Sequence, residues 1–156
     1  MEDAAVVLPP ADPSSHLDRS EVLTPEQCWE HLRASSVGRV AFVVDGWPVV
    51  LPVNYAIAGS DIVLRSGPGS KLTAARRTSQ VSLQVDAIDV VYRSGWSVLL
   101  FGTAETVADP SEIAGIDDLG LRTWAATEHM EWIRIHPVSV TGRALPRAWR
   151  YPGAPE

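Results

Sequence analysis

The chain has 156 residues, of which 46% are hydrophobic, as expected for one globular domain with a full core. Its formal net charge is -6, which argues against nucleic acid as a partner, and its single cysteine excludes an internal disulfide or a zinc site built on cysteines. No apolar run is long enough to span a membrane, and the N-terminus lacks the basic start of a signal peptide. We therefore expect a cytoplasmic protein without membrane contact.

Both ends of the chain are predicted to lie outside the fold. Residues 1–22 contain several prolines and serines and no hydrophobic periodicity, so they are interpreted as a flexible tail. Residues 146–156 are also rich in proline and are interpreted as a second tail. The single folded domain is predicted over residues 23–145.

The first predicted element is a helix that begins after Thr24. Threonine serves as the N-cap, proline occupies the first helical position, and Gln27 closes a capping box. Cys28 shares the apolar stripe of this helix with Leu32, so we interpret it as a small buried residue rather than a nucleophile.

The hydrophobic period then changes to that of a strand. Two apolar runs, Val37–Val44 and Trp47–Ala56, flank an Asp-Gly pair, the strongest short signal for a β-hairpin. Pro48 and Pro52 cannot donate a backbone hydrogen bond to a neighbouring strand. One edge of the second strand is therefore predicted to be partly unpaired, which leaves room for a ligand.

A basic segment follows the third predicted strand, Ile62–Arg65. No acidic residue lies between Asp61 and Asp86, whereas four basic residues do: Arg65, Lys71, Arg76 and Arg77. Ser70 can cap a short helix, and a cation beside freed backbone N–H groups makes a plausible phosphate cradle. A plain solvated turn is the alternative interpretation. The glycine spacing fits neither a nucleotide P-loop nor a dinucleotide fingerprint.

The remainder of the chain predicts more strands than helices. The elements are an alternating strand over Gln80–Asp86, an uncertain stretch over 87–94, a long strand over Trp96–Val107, a capped helix of about ten residues after Asp109, and a last strand over Glu131–Gly142 that bends at Pro137. Six or so short strands, with helices that cap rather than alternate, favour a mainly β fold: a small closed barrel with peripheral helices.

Several motifs, taken in order, resemble the pyridoxamine 5'-phosphate oxidase-like, FMN-binding split-barrel family, especially its small actinobacterial members related to nitroimidazole-resistance proteins. They are Ser36–Ala41, Pro52–Tyr55, Ser70-Lys71, Ser94–Val98, Trp132–Pro137 and Thr141–Arg143. The resemblance covers Thr24 to Arg143. It implies a six-stranded split barrel, a homodimer with FMN between the subunits, and a flavin-dependent oxidoreductase that acts on a small-molecule substrate.

The resemblance also implies a set of cofactor-binding residues. The phosphate would be held by Arg65, Ser66, Ser70 and Lys71, the ring would lie along Pro52, Val53 and Asn54, and the partner subunit would close the site with Trp96, Ser97 and Trp132. Gln84 is a further candidate for the polar edge of the ring. Trp96 and Trp132 could instead be core or interface aromatics.

The sequence leaves the coenzyme and the activity open. A deazaflavin coenzyme, for which Arg76 and Arg77 could extend the basic channel, or a haem is the alternative to FMN, and a non-catalytic carrier or sensor is the alternative to an enzyme. Redox chemistry would belong to the cofactor, so no catalytic residue is predicted. The chain shows no metal signature, and no match to the substrate-phosphate arginines of the oxidase itself, so oxidation of a vitamin B6 phosphate is not expected.

Overall fold

The computed structural model describes residues 20–69, 80–122 and 129–146. Within these ranges no helix is long and apolar enough to cross a membrane. The elements, in chain order, are β1 (Glu21–Val22), α1 (Pro25–Ala34), β2 (Val37–Val44), β3 (Trp47–Ala58), β4 (Asp61–Ser66), β5 (Gln80–Asp89), β6 (Ser94–Val107), α2 (Pro110–Asp117) and β7 (Glu131–Leu145).

All strand pairs are antiparallel, and the sheet closes on itself. Its order is β1-β7-β4-β3-β2-β5-β6, and β7 pairs with β6 as well as with β4. Because β7 is 15 residues long, it can join the two edges of the sheet. Strands β2 to β7 form a six-stranded barrel with two peripheral helices, which confirms the predicted fold class.

Alternation along the strands separates an inner face from an outer face. The inward side chains form the main core, in which Leu64, Leu83 and Leu100 are at most 1% exposed. Helix α1 covers one end of the barrel and contributes Cys28 and Leu32 to this core, both fully buried. The Thr24 capping box that predicted the helix is present.

A buried tyrosine connects this helix to the barrel. The Tyr55 hydroxyl on β3 donates a 2.7 Å hydrogen bond to the carbonyl of Leu32 at the end of α1. Burial raises the pKa of Tyr55 to about 12. The phenol therefore stays protonated and keeps its donor role.

Several boundaries differ from those predicted. Glu21 and Val22 were assigned to the tail, but they pair with Ala144 and Arg143 on β7. Strand β5 continues to Asp89 and so covers the first three residues of the uncertain stretch, because the β5–β6 hairpin is paired almost to its tip. Strand β7 continues past Gly142 to Leu145, and α2 has 8 residues rather than ten.

The backbone of β7 lies close to Gly102 of β6. The register between them shifts at Phe101/Gly102. A Cβ atom added to Gly102 would lie 2.4 Å from the His136 carbonyl oxygen and 2.8 Å from Cγ2 of Ile135. Closure of the barrel at this point therefore requires a residue without a side chain.

We expect Gly102→Ala to lower the free energy of unfolding by about 1–3 kcal/mol, because β6 and β7 must move apart to admit the methyl group. Gly115→Ala in α2 is the matched control. No atom lies within 4 Å of its Cβ position, so the change should stabilise the protein by roughly 0.5–1 kcal/mol through helix propensity. Urea denaturation measures both values, and equal effects would contradict the packing argument.

Candidate functional site

The outer face of the barrel carries most of the polar residues that the sequence singles out. Arg65 on β4 is paired with Trp132 on β7. Tyr55 of β3 is paired with Leu64 of β4, so the next residues along, Asn54 and Arg65, lie opposite each other. Directly opposed residues of antiparallel strands share a face. Asn54, Arg65 and Trp132 therefore form a row across three adjacent strands.

The Arg65 side chain packs over the indole ring of Trp132. The Arg65 guanidinium carbon lies 5.2 Å from the centroid of the indole ring, a cation–π distance. The ring is 4% exposed and belongs to a second apolar cluster with Val63 of β4 and Ile116 of α2. Its Nε1–H donates a 3.0 Å hydrogen bond to Oδ1 of Asp117. Contacts with α2 thus fix the position of the indole ring beside Arg65.

Arg65 retains donor capacity that the described residues do not use. Its Nε atom is buried and has no hydrogen-bond partner. No carboxylate in the described ranges lies within ion-pair distance of it, since the ion pairs there involve Arg39, Arg134 and His136. A buried donor without a partner costs about 1–3 kcal/mol. An anion or a carbonyl group bound beside Arg65 would remove that cost.

The edge of β3 next to Arg65 is open. Strand β3 pairs with β2 from Trp47 to Asn54, whereas its described pairing with β4 covers only Tyr55–Ala58. The Tyr55 N–H donates to the Ser36 carbonyl. By alternation, the backbone of Pro52 and its even-numbered neighbours faces away from β2. The prediction of a strand edge that proline leaves unpaired is met in the described part of the chain.

Two candidate residues point away from the outer face. Val53 is 6% exposed and lies in the main core, and its backbone N–H and C=O face Gly38 of β2 rather than the open edge of β3. Ser66 is 3% exposed, and its hydroxyl donates a 3.0 Å hydrogen bond to the carbonyl of Gly67. The resemblance assigned both residues to a cofactor, but strand alternation turns their side chains inward.

Gln84 lies on the outer face in contact with a residue that the sequence analysis did not select. Arg39 on β2 is paired with Pro52 on one side and with Gln84 on the other. Its Nη1 atom donates to Oε1 of Gln84 at 2.9 Å and to Oδ1 of Asp86 at 2.6 Å. Arg39 is the only charged residue of β2. A single charged residue in an otherwise apolar strand was the sequence signal that could have identified Arg39.

Trp96 and Ser97 line a groove beside the turn of the β5–β6 hairpin. The groove has a volume of about 540 Å³ and is also lined by Ile88, Val90 and Arg143, among others. Ser97 is exposed and paired with Asp86, whereas Trp96 packs against the main core. The Trp96 ring stacks on His31 of α1, with 4.0 Å between the ring centroids. Successive side chains on β6 thus point to opposite faces of the sheet.

Comparison with known proteins identifies the family. The family model for pyridoxamine 5'-phosphate oxidase matches residues 24–144. The chain belongs to the pyridoxamine 5'-phosphate oxidase family. It is 30% identical to an uncharacterised protein of Mycobacterium tuberculosis over 131 residues, which cover 81% of this chain and 82% of the relative.

Two solved structures share the fold of this family member. One is a protein from Corynebacterium glutamicum, with a TM-score of 0.71 and 30% identity over 80% of this chain and 97% of that chain. The other is described as an FAD-binding protein from Mycobacterium smegmatis, with a TM-score of 0.69 and 31% identity over 80% of this chain and 97% of that chain. The resemblance inferred from the sequence motifs is confirmed.

The pyridoxamine 5'-phosphate oxidase fold brings most of the candidate residues onto one surface. Those whose side chains or backbone edge reach it are Pro52, Asn54, Arg65, Gln84, Ser97 and Trp132. Trp132 meets Arg65 within one chain, so that contact needs no partner subunit. Ser70 and Lys71 lie outside the described residues, as do Arg76 and Arg77; their phosphate role stays a prediction.

A charged cluster stabilises the same outer face farther along β4, β6 and β7. Nε2 of His136 lies 2.8 Å from Oε1 of Glu105, and Nδ1 lies 3.2 Å from Oδ1 of Asp61. Arg134 donates to Glu112 at 2.8 Å, which attaches β7 to α2. The hydrogen bond to Glu105 and the charge of Asp61 raise the pKa of His136. Its protonated form thus connects three strands.

This raised pKa predicts a pH-dependent contribution to stability. Folding favours protonated His136, so its contribution is fully present below the unfolded pKa near 6.5 and is lost as pH rises through the folded pKa. The destabilisation caused by His136→Asn should therefore be larger at about pH 5.5 than at about pH 8.5.

Denaturation of both proteins across this pH range measures the difference, and His129→Asn controls for the loss of an exposed histidine. A penalty for His136→Asn that grows with pH would contradict the assignment.

Proposed function

We propose that this protein is a flavin-dependent oxidoreductase that binds a flavin nucleotide on the outer face described above. The observation that supports it most is Arg65, whose buried Nε has no hydrogen-bond partner among the described residues and lies at the end of β4, beside the open edge of β3. The Nε atom of Arg134 is also without a hydrogen bond, but it lies 3.7 Å from Oδ2 of Asp61, whereas no described carboxylate lies within ion-pair distance of Arg65. A bound anionic ligand accounts for the missing acceptor.

The phosphate of the flavin would lie between Arg65 and the start of the basic segment. Arg65 is followed within six residues by Ser70 and Lys71, the only lysine of the chain. The phosphate monoester of FMN is largely a dianion near neutral pH and each phosphate of FAD a monoanion, and charge-assisted hydrogen bonds to either are stronger than neutral ones. Trp132, held by Asp117, keeps the guanidinium in place before the ligand arrives.

The flavin ring would lie along the open edge of β3. The ring is flat and apolar with a polar pyrimidine edge, and it needs both an apolar support and a few placed hydrogen-bonding groups. Pro52 supplies the support and the Gln84 side chain a polar group two strands away. When bound, the flavin would supply the electron and hydride transfer. The chain's own residues bind it, orient it and exclude water.

FMN is the flavin that the sequence resemblance implies. The Mycobacterium smegmatis structure, at 31% identity, is described as an FAD-binding protein. FMN and FAD share the ring, the ribityl chain and the first phosphate, so Arg65 and Lys71 would serve either. Any discrimination must come from groups beyond that phosphate.

A second copy of the chain would cover the cofactor. On the outer face, next to the row of Pro52, Arg39 and Gln84, Val43 and Val50 are 64% and 58% exposed. Adjacent apolar side chains at such exposure are typical of a surface that another protein covers. In a homodimer this contact would be buried, and the groove residues Trp96 and Ser97 of one subunit would approach the flavin of the other.

Flavin affinity tests the phosphate assignment. Arg65→Met and Lys71→Ala should each weaken flavin binding roughly ten- to a hundredfold, since each removes one charge-assisted contact worth about 1.5–3 kcal/mol. Arg33→Met on α1 is the control for the loss of an exposed arginine and should bind as the wild type does. Fluorescence titration with FMN, FAD, a deazaflavin coenzyme and haem in parallel identifies the preferred coenzyme.

Unchanged flavin affinity in both variants would contradict the site, and preference for haem or the deazaflavin coenzyme would contradict the flavin assignment. Stopped-flow reduction by NAD(P)H separates an enzyme from a carrier. An enzyme should reduce its bound flavin rapidly and pass the electrons to an acceptor, whereas a carrier should stay oxidised.

A further inference from the structure

Arg39 occupies a position between two candidate cofactor contacts. Its Cα is paired with Pro52 of β3 on one side and with Gln84 of β5 on the other. The Arg39 side chain is 53% exposed on the outer face. Any flat ligand that extends from the β3 edge towards Gln84 must pass over it.

The contacts of Arg39 fix the orientation of a side-chain amide. An arginine donates hydrogen bonds and accepts none. The contact between Arg39 Nη1 and Gln84, at 2.9 Å, must therefore be made through the carboxamide oxygen. The amide NH₂ group of Gln84 is then the end that remains to face other partners.

Asp86 fixes the position of the Arg39 guanidinium that contacts Gln84. It accepts from the same Nη1 atom at 2.6 Å, so both hydrogens of that nitrogen are committed to Asp86 and Gln84. The carboxylate also offsets the positive charge of Arg39. Arg39 therefore acts here through geometry rather than as a further phosphate-binding charge.

We propose that Arg39 is a positioning residue that makes Gln84 a hydrogen-bond donor towards the cofactor. This inference rests on the proposed function for the identity of the ligand. The ligand group that contacts Gln84 should therefore be a hydrogen-bond acceptor, such as a carbonyl oxygen of the flavin pyrimidine edge. A coenzyme edge that presents only a donor at this point would be rejected.

The orientation of Gln84 can be tested without any cofactor. In the flavin-free protein, the side-chain ¹⁵N–¹H₂ resonances of Gln84 should show the restricted motion of an anchored amide. Arg39→Met, which keeps the apolar stem, should shift these resonances and increase their mobility, whereas Arg33→Met should leave them unchanged. A Gln84 amide that is equally mobile in the wild type and in Arg39→Met would overturn the proposal.

A double-mutant cycle on flavin binding tests whether Arg39 acts through Gln84. Arg39→Met alone should weaken binding about three- to tenfold, the worth of one hydrogen bond, and should alter the visible flavin spectrum. In a Gln84→Leu background the same change should have less than about a twofold further effect, because coupled residues are not additive. Fully additive losses would overturn the positioning role.

The Gln84→Glu variant tests whether the side chain at position 84 must donate a hydrogen bond to the cofactor. Glutamate can still accept from Arg39 but has no NH₂ group, so flavin affinity should fall by about tenfold or more. Wild-type affinity in this variant would contradict the donor role. If the wild-type protein binds no flavin although the Gln84 amide is anchored by Arg39, the proposed function fails while the positioning of Gln84 stands.

Discussion

A buried guanidinium nitrogen with no acceptor among the described residues is the feature on which the functional account depends. Arg65 lies over Trp132, and the indole is fixed by Asp117 and by the apolar contacts of α2. An unsatisfied donor of this kind costs free energy until an acceptor reaches it.

Closure of the barrel places this arginine beside the open edge of β3. Strand β7 pairs with β4 and β6 together, which completes the sheet around the core. The β3–β4 pairing stops at Tyr55, so the stretch of β3 from Trp47 to Asn54 is paired on one side in the described part of the chain. Within the described residues, the topology that closes the barrel thus leaves this edge of β3 unpaired next to the end of β4.

The sequence alone predicted the elements that depend on local signals. The capping box at Thr24 and the proline-started helix after Asp109 are both present, and the prolines of β3 mark the open edge. The absence of acids between Asp61 and Asp86 indicated Arg65 before any fold was considered. Each of these signals comes from a few neighbouring residues.

What the sequence did not predict depends on long-range pairing. Arg39 and Gln84 are separated by 45 positions and meet because β2 pairs with β5. The inward direction of Val53 and Ser66 follows from strand register, which a list of motif residues does not contain. The role of Asp117 in fixing Trp132 requires the packing of α2 on the outer face.

A crystal structure of the protein grown with an excess of FMN or FAD tests the central claim most directly. The account predicts a flavin phosphate within hydrogen-bond distance of Arg65, the ring along the β3 edge at Pro52, and a second copy of the chain over the same surface. Flavin bound elsewhere, with Arg65 still facing no ligand and the outer face open to solvent, would contradict it.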